Sequence, residues 1–332
     1  MTEALTNPHD HFFREKFSDP ALVRDFLHHY LPAEMVSLFD LSSLEILKDN
    51  FVDVALRDQH SDLLYKVNLQ TGRVAYIYLL FEHKSCPDPE VLWQLFRYLY
   101  NIVEQARKDK VPPPPILPIV FYHGVEKWNV AHELAALFET PDALRSYVLN
   151  FRYWLYDLSA YSDEEIKGQV VLQVVLLLLK YIMRDELEAR LAGMVDLLRT
   201  LARQERGLDH LRTMLIYLSR GTDKIDQEAL QKVVDDVFEE GEVTMATIAE
   251  QWIEQGREEG REAALNVLRR FLATRFGVAL DHFDAALHAL DLEAITALSD
   301  AAFAVESLAD FEIRLAEVQS SPETGQSDKA EA

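Results

Sequence analysis

The spacing of apolar residues divides the chain into a mixed first half and a helical second half. Up to about residue 162 the apolar positions switch between helix and strand periods, whereas later segments repeat them with helix spacing. After Val318 the sequence "QSSPETGQSDKAEA" is small and polar. The pattern predicts a domain over residues 1–162, a helical region over 163–318 and a disordered tail over 319–332.

Two helix start signals open the chain. Asn7 is followed by Pro8, and Asp19 is followed by Pro20. Each pair combines a residue that caps helices with a proline at the first helical position, where the missing N–H costs nothing. These pairs predict two short helices before the first strand.

From residue 44 the apolar pattern becomes that of strands. The stretches "LEIL", "FVDVAL", "DLLYKVNL" and "VAYIYLLFEH" are rich in β-branched, aromatic and aliphatic residues, and a turn at Thr71 and Gly72 separates the last two. A helix with Asp88 as its N-cap then precedes the apolar strand "ILPIVFYHG". A strand, helix, strand order implies a crossover between parallel strands. The expected fold is therefore α/β, with a mixed sheet flanked by helices and followed by an all-helical part.

The longest apolar run, from Val170 to Met183, predicts a buried helix. It is interrupted by Gln173 and Lys180 and is shorter than the roughly 20 residues of a membrane span, so we expect no membrane partner. The single cysteine, Cys86, excludes an internal disulfide framework and fits a reducing compartment. The N-terminus has no basic region followed by an apolar stretch, so the expected location is the cytoplasm.

The net charge of −23 is unfavourable for a protein that binds a polyanion. Its distribution changes this picture. Residues 1–130 carry 13 basic and 18 acidic side chains, a net charge of −5, and the remainder carries a net charge of −18. The first part of the chain can therefore still meet nucleic acid, particularly with a bound cation.

Charged residues at the end of a strand are the main candidates for chemistry. The apolar run "YIYLLF" continues into Glu82, His83 and Lys84. Alternation along a strand places Glu82 and Lys84 on one side and His83 on the other. Asp62 opens the preceding strand, and pairing around the Thr71–Gly72 turn with residue numbers that sum to about 144 would place Asp62 opposite Glu82.

Paired carboxylates at such a position suit Mg²⁺, a hard cation that prefers oxygen ligands. The metal can polarise a phosphodiester and activate water, while a nearby ammonium orients that water or offsets developing charge. Asp62, Glu82 and Lys84 therefore predict a phosphodiesterase. Glu-x-Lys alone is a weak signal, because a surface ion pair gives the same pattern.

The order of these elements resembles the PD-(D/E)XK nuclease superfamily. The stretches "NPHDHFFREKFSDP", "FVDVALRDQHSDLLYKV", "YIYLLFEHKS" and "LPIVFYHGVEKWN" resemble the recombination-promoting nuclease and YhgA-like transposase family of bacteria. The resemblance covers about residues 5–160 and extends to the acidic helical part. It implies a restriction-endonuclease-like core, cleavage of DNA that depends on Mg²⁺ or Mn²⁺, and a role in recombination or transposition.

The resemblance also assigns roles to individual residues. Asp62, Glu82 and Lys84 stand at the motif positions of the catalytic set, and Asp62, Glu82 and the backbone carbonyl of His83 are the implied metal ligands. The proline that nominally precedes the aspartate in the superfamily is Ser61 here. This departure is a tolerated variation.

Other candidates have weaker support. Gln94 and Arg97, on the helix after the motif, could contact phosphate, although an ordinary solvated charge is the alternative for Arg97. Asp53 could be a third carboxylate or a turn acid. His123 ends a strand, where it could face the site or cap a turn.

Two other functions remain open at this point. The first is a catalytically inactive DNA-binding or assembly module that keeps the fold and binds partners through its helical half. The second is a nuclease for RNA, because no residue in the pattern reads the sugar. Self-association is expected to use the helical C-terminal region.

Overall fold

The computed structural model describes residues 8–47, 63–82, 87–238, 243–279, 281–288, 290–305 and 307–320. Five strands form one mixed sheet in this part of the chain. The strands are β1 (Phe39–Ile46), β2 (Leu63–Leu69), β3 (Val74–Glu82), β4 (Ile116–Tyr122) and β5 (Trp154–Asp157). They follow chain order across the sheet. β1, β2 and β3 pair antiparallel, whereas β3, β4 and β5 pair in parallel.

Helices account for most of the remaining described residues. They are α1 (Pro8–Phe17), α2 (Pro20–Tyr30), α3 (Ala33–Val36), α4 (Val91–Lys108), α5 (Val170–Tyr181), α6 (Leu187–Gly193), α7 (Val195–Ala202), α8 (Gly207–Gly221), α9 (Gln227–Val237), α10 (Val243–Phe276), α11 (Asp284–Leu287), α12 (Leu292–Ala304) and α13 (Leu308–Ser320). The predicted α/β class, a mixed sheet flanked by helices and followed by a helical part, is confirmed. The predicted crossover is present, because α4 connects the parallel strands β3 and β4.

Helix α4 covers one face of the sheet. Its buried side chains pack against alternate residues of the central strands, which form one apolar cluster with them. The residues from the strands are Leu64, Tyr78, Leu80, Val120 and Tyr122, and those from α4 are Val91, Leu92, Leu95, Tyr98 and Ile102. Strict alternation on β3 and β4 explains why these residues share a face.

Aromatic residues of α1 and α2 cover the opposite face. The ring of Phe121 on β4 lies 5.1 Å from Phe13 and 5.5 Å from Phe17, and Tyr156 on β5 lies 4.9 Å from Phe26. The Tyr65 hydroxyl donates a hydrogen bond to the Phe17 carbonyl over 2.6 Å. Each fully buried phenylalanine contributes about 1.5–3 kcal/mol through apolar burial. The strands are therefore buried on both faces, as parallel pairing requires.

The helix signals in the sequence are largely borne out. α1 begins at Pro8 and α2 at Pro20, and the Asp19 carboxylate accepts a hydrogen bond from the Ala21 amide. The expected cap of α4 is wrong by two residues, since α4 begins after Glu90. Asp88 instead accepts a hydrogen bond from the Glu90 amide in the turn before the helix.

The apolar run that starts at Val170 forms the buried helix α5, as predicted. In the part of the chain that the structure describes, no helix is both long and apolar enough to cross a bilayer. The long helical stretch that follows is broken more often than its apolar period indicates. α5 ends at Tyr181, and α6 and α7 meet at Met194.

The described residues divide into two compact units. Thr6–Trp252 form one unit, and residues from Ile253 onward belong to the second. In the second unit, an apolar core joins α10 to α11, α12 and α13 through residues that include Leu268, Ile295 and Phe311. In the first unit, α5 packs on α2, and α8 packs on α1. The predicted division at residue 162 stays a prediction, because packing across a boundary does not show whether either side folds alone.

A buried ion pair links α5 to the segment that follows β5. The Lys180 ammonium is 7% exposed and lies 2.5 Å from Asp163 Oδ1 and 2.8 Å from the Tyr161 carbonyl. The Tyr181 hydroxyl donates to Asp163 over 2.7 Å, and Arg190 lies 3.2 Å from its second oxygen. Burial opposes ionisation of Asp163, but these hydrogen bonds and positive charges outweigh it and lower the pKa of the carboxyl.

Replacing this carboxylate should weaken the fold in a way that depends on pH. Asp163→Asn should lower the free energy of unfolding by about 1–2 kcal/mol at neutral pH, an estimate reduced for the partial exposure of Asp163. Because the folded-state pKa is lowered, the stabilisation is present above the ordinary pKa of about 3.9 and is lost as pH falls through the folded-state pKa.

Urea unfolding at about pH 7 and about pH 3 measures the effect, and the gap between variant and wild type should narrow in acid. Asp196→Asn is the control, because Asp196 forms a largely exposed pair with Arg199 and should change stability by less than about 0.5 kcal/mol. An equal loss at both pH values would show that ionisation of Asp163 is not the source.

The turn between α7 and α8 depends on a glycine. Arg206 has a φ of 61°, and Gly207 starts α8 so close to α7 that an added Cβ would lie 1.9 Å from the Leu201 carbonyl oxygen. Backbone atoms cannot move aside as a flexible side chain can. Gly207 is therefore required by close backbone approach.

Gly207→Ala should destabilise the protein by about 1–3 kcal/mol or more, because the methyl group forces the two helices apart. Gly193→Ala is the matched control at the end of α6, where nothing lies within 4 Å of an added Cβ. That substitution should be neutral or stabilise by about 0.4–1 kcal/mol by restricting the unfolded chain. Thermal or urea unfolding of both variants measures the change in stability. Equal losses of stability in Gly207→Ala and Gly193→Ala would contradict the proposed clash.

Candidate active site

The carboxyl ends of β3, β4 and β5 meet at one edge of the sheet. Glu82 is the backbone partner of Tyr122, and Tyr122 is the backbone partner of Asp157. With neighbouring strands about 4.8 Å apart, the backbones of Glu82 and Asp157 lie about 10 Å apart. This edge is where open α/β sheets bind ligands.

The structure describes only part of the predicted catalytic set. Glu82 is the last residue of β3, and its backbone is described. Asp62, His83 and Lys84, and the weaker candidate Asp53, lie outside the described residues. β2 begins at Leu63, immediately after Asp62. The roles predicted for these residues therefore stay predictions.

The expected register of the hairpin is wrong by two residues. Leu63 pairs with Leu79, and every described pair of β2 and β3 sums to 142 instead of about 144. The cause is the turn, in which Gly72 has a φ of 79° and donates a hydrogen bond to the Leu69 carbonyl over 2.8 Å. The loop is therefore centred on Thr71. No described residue of β2 lies opposite Glu82.

The two predicted substrate residues on α4 differ in exposure. Gln94 is buried, at 8% exposed, beside the apolar face that packs on the sheet. Arg97 is exposed. Only Arg97 is therefore directly available to a ligand on the outer face of α4, and a substrate role for either residue stays a prediction.

His123 joins the sheet to the helices behind it. It is 1% exposed, and its Nδ1 donates a hydrogen bond over 2.8 Å to the Leu179 carbonyl on α5. Its ring centroid lies 6.0 Å from that of His9, whose Nδ1 shares a 2.8 Å hydrogen bond with the Tyr217 hydroxyl on α8. The hydrogen bond of His123 thus connects the end of β4 to α5, and His123 is not a simple turn cap.

Burial and a nearby negative charge keep the phenol of Tyr217 protonated. Burial, followed by the nearby charge of Asp10, raises the pKa of Tyr217 well above its ordinary value. Asp10 is itself 7% exposed on α1. An imidazole pair, a phenol and a carboxylate therefore lie together on the helical side of β4.

Arg184 is a residue at this edge that sequence reasoning missed. One guanidinium nitrogen lies 3.5 Å from the Gly124 carbonyl, just beyond β4. Arg184 follows α5, about sixty residues along the chain, and no local pattern connects the two segments. Asp10 was visible in the sequence only as a first-turn acid of α1.

Asp157 is engaged in local structure. Its carboxylate accepts hydrogen bonds from the Ser159 amide over 3.0 Å and from the Ser159 hydroxyl over 2.6 Å, which caps a short 3₁₀ turn. Among the described residues there is no group of three or more histidine, cysteine, aspartate or glutamate side chains that could hold a metal ion. The predicted Mg²⁺ site, which needs Asp62, Glu82 and His83, is untested by these residues.

Comparison with known proteins finds one matching family and several similar relatives. The family described as "Putative transposase, YhgA-like" matches residues 7–209. The recombination-promoting nuclease RpnD of Escherichia coli O157:H7 is 32% identical over 206 residues, which are 60% of this chain and 78% of the relative. RpnC of Escherichia coli K12 is 30% identical over 202 residues, 60% of this chain and 66% of the relative.

A further relative carries a different description. The inactive recombination-promoting nuclease-like protein RpnE of Escherichia coli K12 is 29% identical over 291 residues, 83% of this chain and 93% of the relative. No solved structure matches the chain. The matches thus include relatives named as nucleases and relatives named as inactive.

Proposed function

Because the chain belongs to the YhgA-like transposase family, we propose that it is a metal-dependent endonuclease of the PD-(D/E)XK class that hydrolyses DNA in recombination or transposition. The observation that carries the proposal is the acid, acid, lysine set in the sequence next to the ends of two paired strands. Asp62 immediately precedes β2, Glu82 ends β3, and Lys84 follows two residues later. The names of the nuclease relatives support the same reaction class.

The donor set suits the proposed cation. Two carboxylates, from Asp62 and Glu82, and the His83 carbonyl are all oxygen donors, which Mg²⁺ prefers and Mn²⁺ accepts. The bound ion would supply charge at the scissile phosphodiester and acidify a water molecule. The Lys84 side chain supplies an amine that can orient the attacking water and, as an ammonium, offset charge on the phosphate oxygens.

The second candidate is an inactive DNA-binding or assembly module with the same fold. The match to RpnE, which covers more of this chain than the matches to RpnD and RpnC, favours it. The presence of Asp62, Glu82 and Lys84 favours the active enzyme. We also propose self-association through the helical C-terminal region and a cytoplasmic location, which fits the single cysteine, and RNA is an alternative substrate.

The purified chain should nick plasmid DNA with Mg²⁺ or Mn²⁺ and lose this activity in EDTA. Asp62→Ala and Glu82→Ala should reduce both metal binding and cleavage, the latter by roughly a hundredfold or more, because each removes an oxygen ligand. Lys84→Ala should slow single-turnover cleavage but keep or raise the affinity for Mg²⁺, because it removes a like charge beside the ion. Calorimetry and single-turnover kinetics measure the two quantities.

Glu45→Ala and Lys66→Ala are the matched controls. Glu45 and Lys66 form a 2.7 Å ion pair on β1 and β2, largely exposed to solvent, and their loss should leave cleavage unchanged. Cleavage that survives EDTA would contradict the metal mechanism. No cleavage with any divalent metal would favour the inactive module, and loss of metal binding in Lys84→Ala would contradict the role given to Lys84.

A further inference from the structure

The outer face of α4 carries exposed aromatic residues around an arginine. Trp93, Arg97 and Tyr100 follow one another at helix spacing, and Trp93 and Tyr100 are 38% and 57% exposed. The inner face of the same helix already supplies the core through five other side chains. Trp93 contacts the ring of Phe96 at 6.5 Å, but neither Trp93 nor Tyr100 belongs to the buried cluster that α4 forms with the sheet.

Arg97 gives this face a positive charge that forms no ion pair with any described residue. Among the described residues, no carboxylate lies within the 4.0 Å of an ion pair with its guanidinium. Glu104, one to two turns further on, is already held by two hydrogen bonds of 2.5 and 2.6 Å from Arg107. Lys108 follows at the end of the helix. With its N-cap residue Glu90 included, α4 carries three basic and two acidic side chains, a net charge of +1, in a chain of net charge −23.

The spacing of the rings fits a nucleic-acid strand. Seven residues of α-helix place Trp93 and Tyr100 about 10 Å apart along the axis. Stacked nucleotides rise about 3.4 Å each, so this distance matches roughly three nucleotides. Stacking on two aromatic side chains with a cation between them is how proteins hold single strands without sequence preference.

The Trp93 end of this face lies toward the edge of the sheet that carries the proposed cutting site. α4 begins nine residues after Glu82, and Trp93 lies in its first turn. The helix leaves the carboxyl edge of β3 and returns the chain to the opposite end, where β4 begins. Trp93 is therefore at the end of α4 nearer to that edge.

We propose that this outer face of α4 binds single-stranded DNA beside the cut site, with Trp93 and Tyr100 stacked on unpaired bases and Arg97 at the phosphate between them. The inference rests on the proposed function and specifies its substrate as DNA with an unpaired segment. Paired bases in a duplex are already stacked on each other and cannot offer their faces to both rings.

The test measures binding by the full chain in EDTA, where cleavage does not interfere. The probes are a fluorescein-labelled oligothymidylate of about 15 nucleotides and a duplex of equal length. Trp93→Ala and Tyr100→Ala should each weaken binding to the single strand by roughly five- to a hundredfold, with little effect on the duplex. Trp93→Phe should restore most of the affinity, because its ring can still stack. Arg97→Ala should reduce the slope of log affinity against log salt by about 0.7.

Tyr147→Ala and Arg145→Ala are the controls. Tyr147 is 83% exposed, and Arg145 is an exposed arginine paired with Asp142, both outside α4. Neither should alter single-strand binding. Wild-type affinity in both Trp93→Ala and Tyr100→Ala would overturn the inference.

Two other outcomes would also overturn it. If the α4 variants change the sedimentation of the free protein, the face is an interface between copies of the chain. If both variants weaken duplex and single-strand binding equally, the face does not select unpaired bases. Failure of the wild type to bind or cleave any DNA would overturn the proposed function as well, whereas a wild type that nicks plasmid with unaffected α4 variants overturns only this inference.

Discussion

The parallel pairing of β3 with β4 is the constraint on which the rest of the structure depends. Parallel neighbours cannot be joined by a short turn, so the chain must cross over the sheet, and α4 makes that crossing. One face of the sheet is then covered, and the other needs the aromatic residues of α1 and α2. β3 and β4 have no charged residue in their interiors, and charged or polar side chains stand where these two strands end. Glu82, His123 and Asp157 all lie at or next to such ends.

Elements with a local cause could be predicted from the sequence, and those with a distant cause could not. Pro8, Asp19 and Pro20 mark helix starts because capping involves neighbouring residues only. The crossover of α4 follows from the order of apolar periods. The hairpin register depends on the turn, in which Gly72 adopts a left-handed backbone conformation. Glycine allows this conformation but also allows others, so the residue type alone does not predict it. The apolar period likewise does not reveal the break at Met194, because α6 and α7 both keep a buried leucine face across it.

The candidate site divides in the same way. Glu82 could be identified from the sequence because a charged residue is unusual at the end of an apolar strand. The structure places its backbone at the carboxyl edge of the sheet. Arg184, just after α5, and Tyr217, on α8, are remote in sequence from their partners, and only the packing of the helices brings them to the end of β4 and to α1. The exposed outer face of α4 was only partly predictable from the sequence. Arg97 was a candidate for phosphate contact in the sequence, whereas Trp93 was not singled out, because its exposure depends on how α4 packs on the sheet.

The pairing of β2 with β3 decides which face of the sheet each side chain of β3 occupies. Tyr78 lies opposite Leu64, and both belong to the cluster on the α4 side. A slip of one residue between the two strands would move Tyr78 and Leu80 to the other side, because side chains alternate along a strand. A longer or shorter loop has no such effect as long as Asn68 stays opposite Val74. The turn can therefore vary in length while the pairs beyond it hold the faces of the sheet in place.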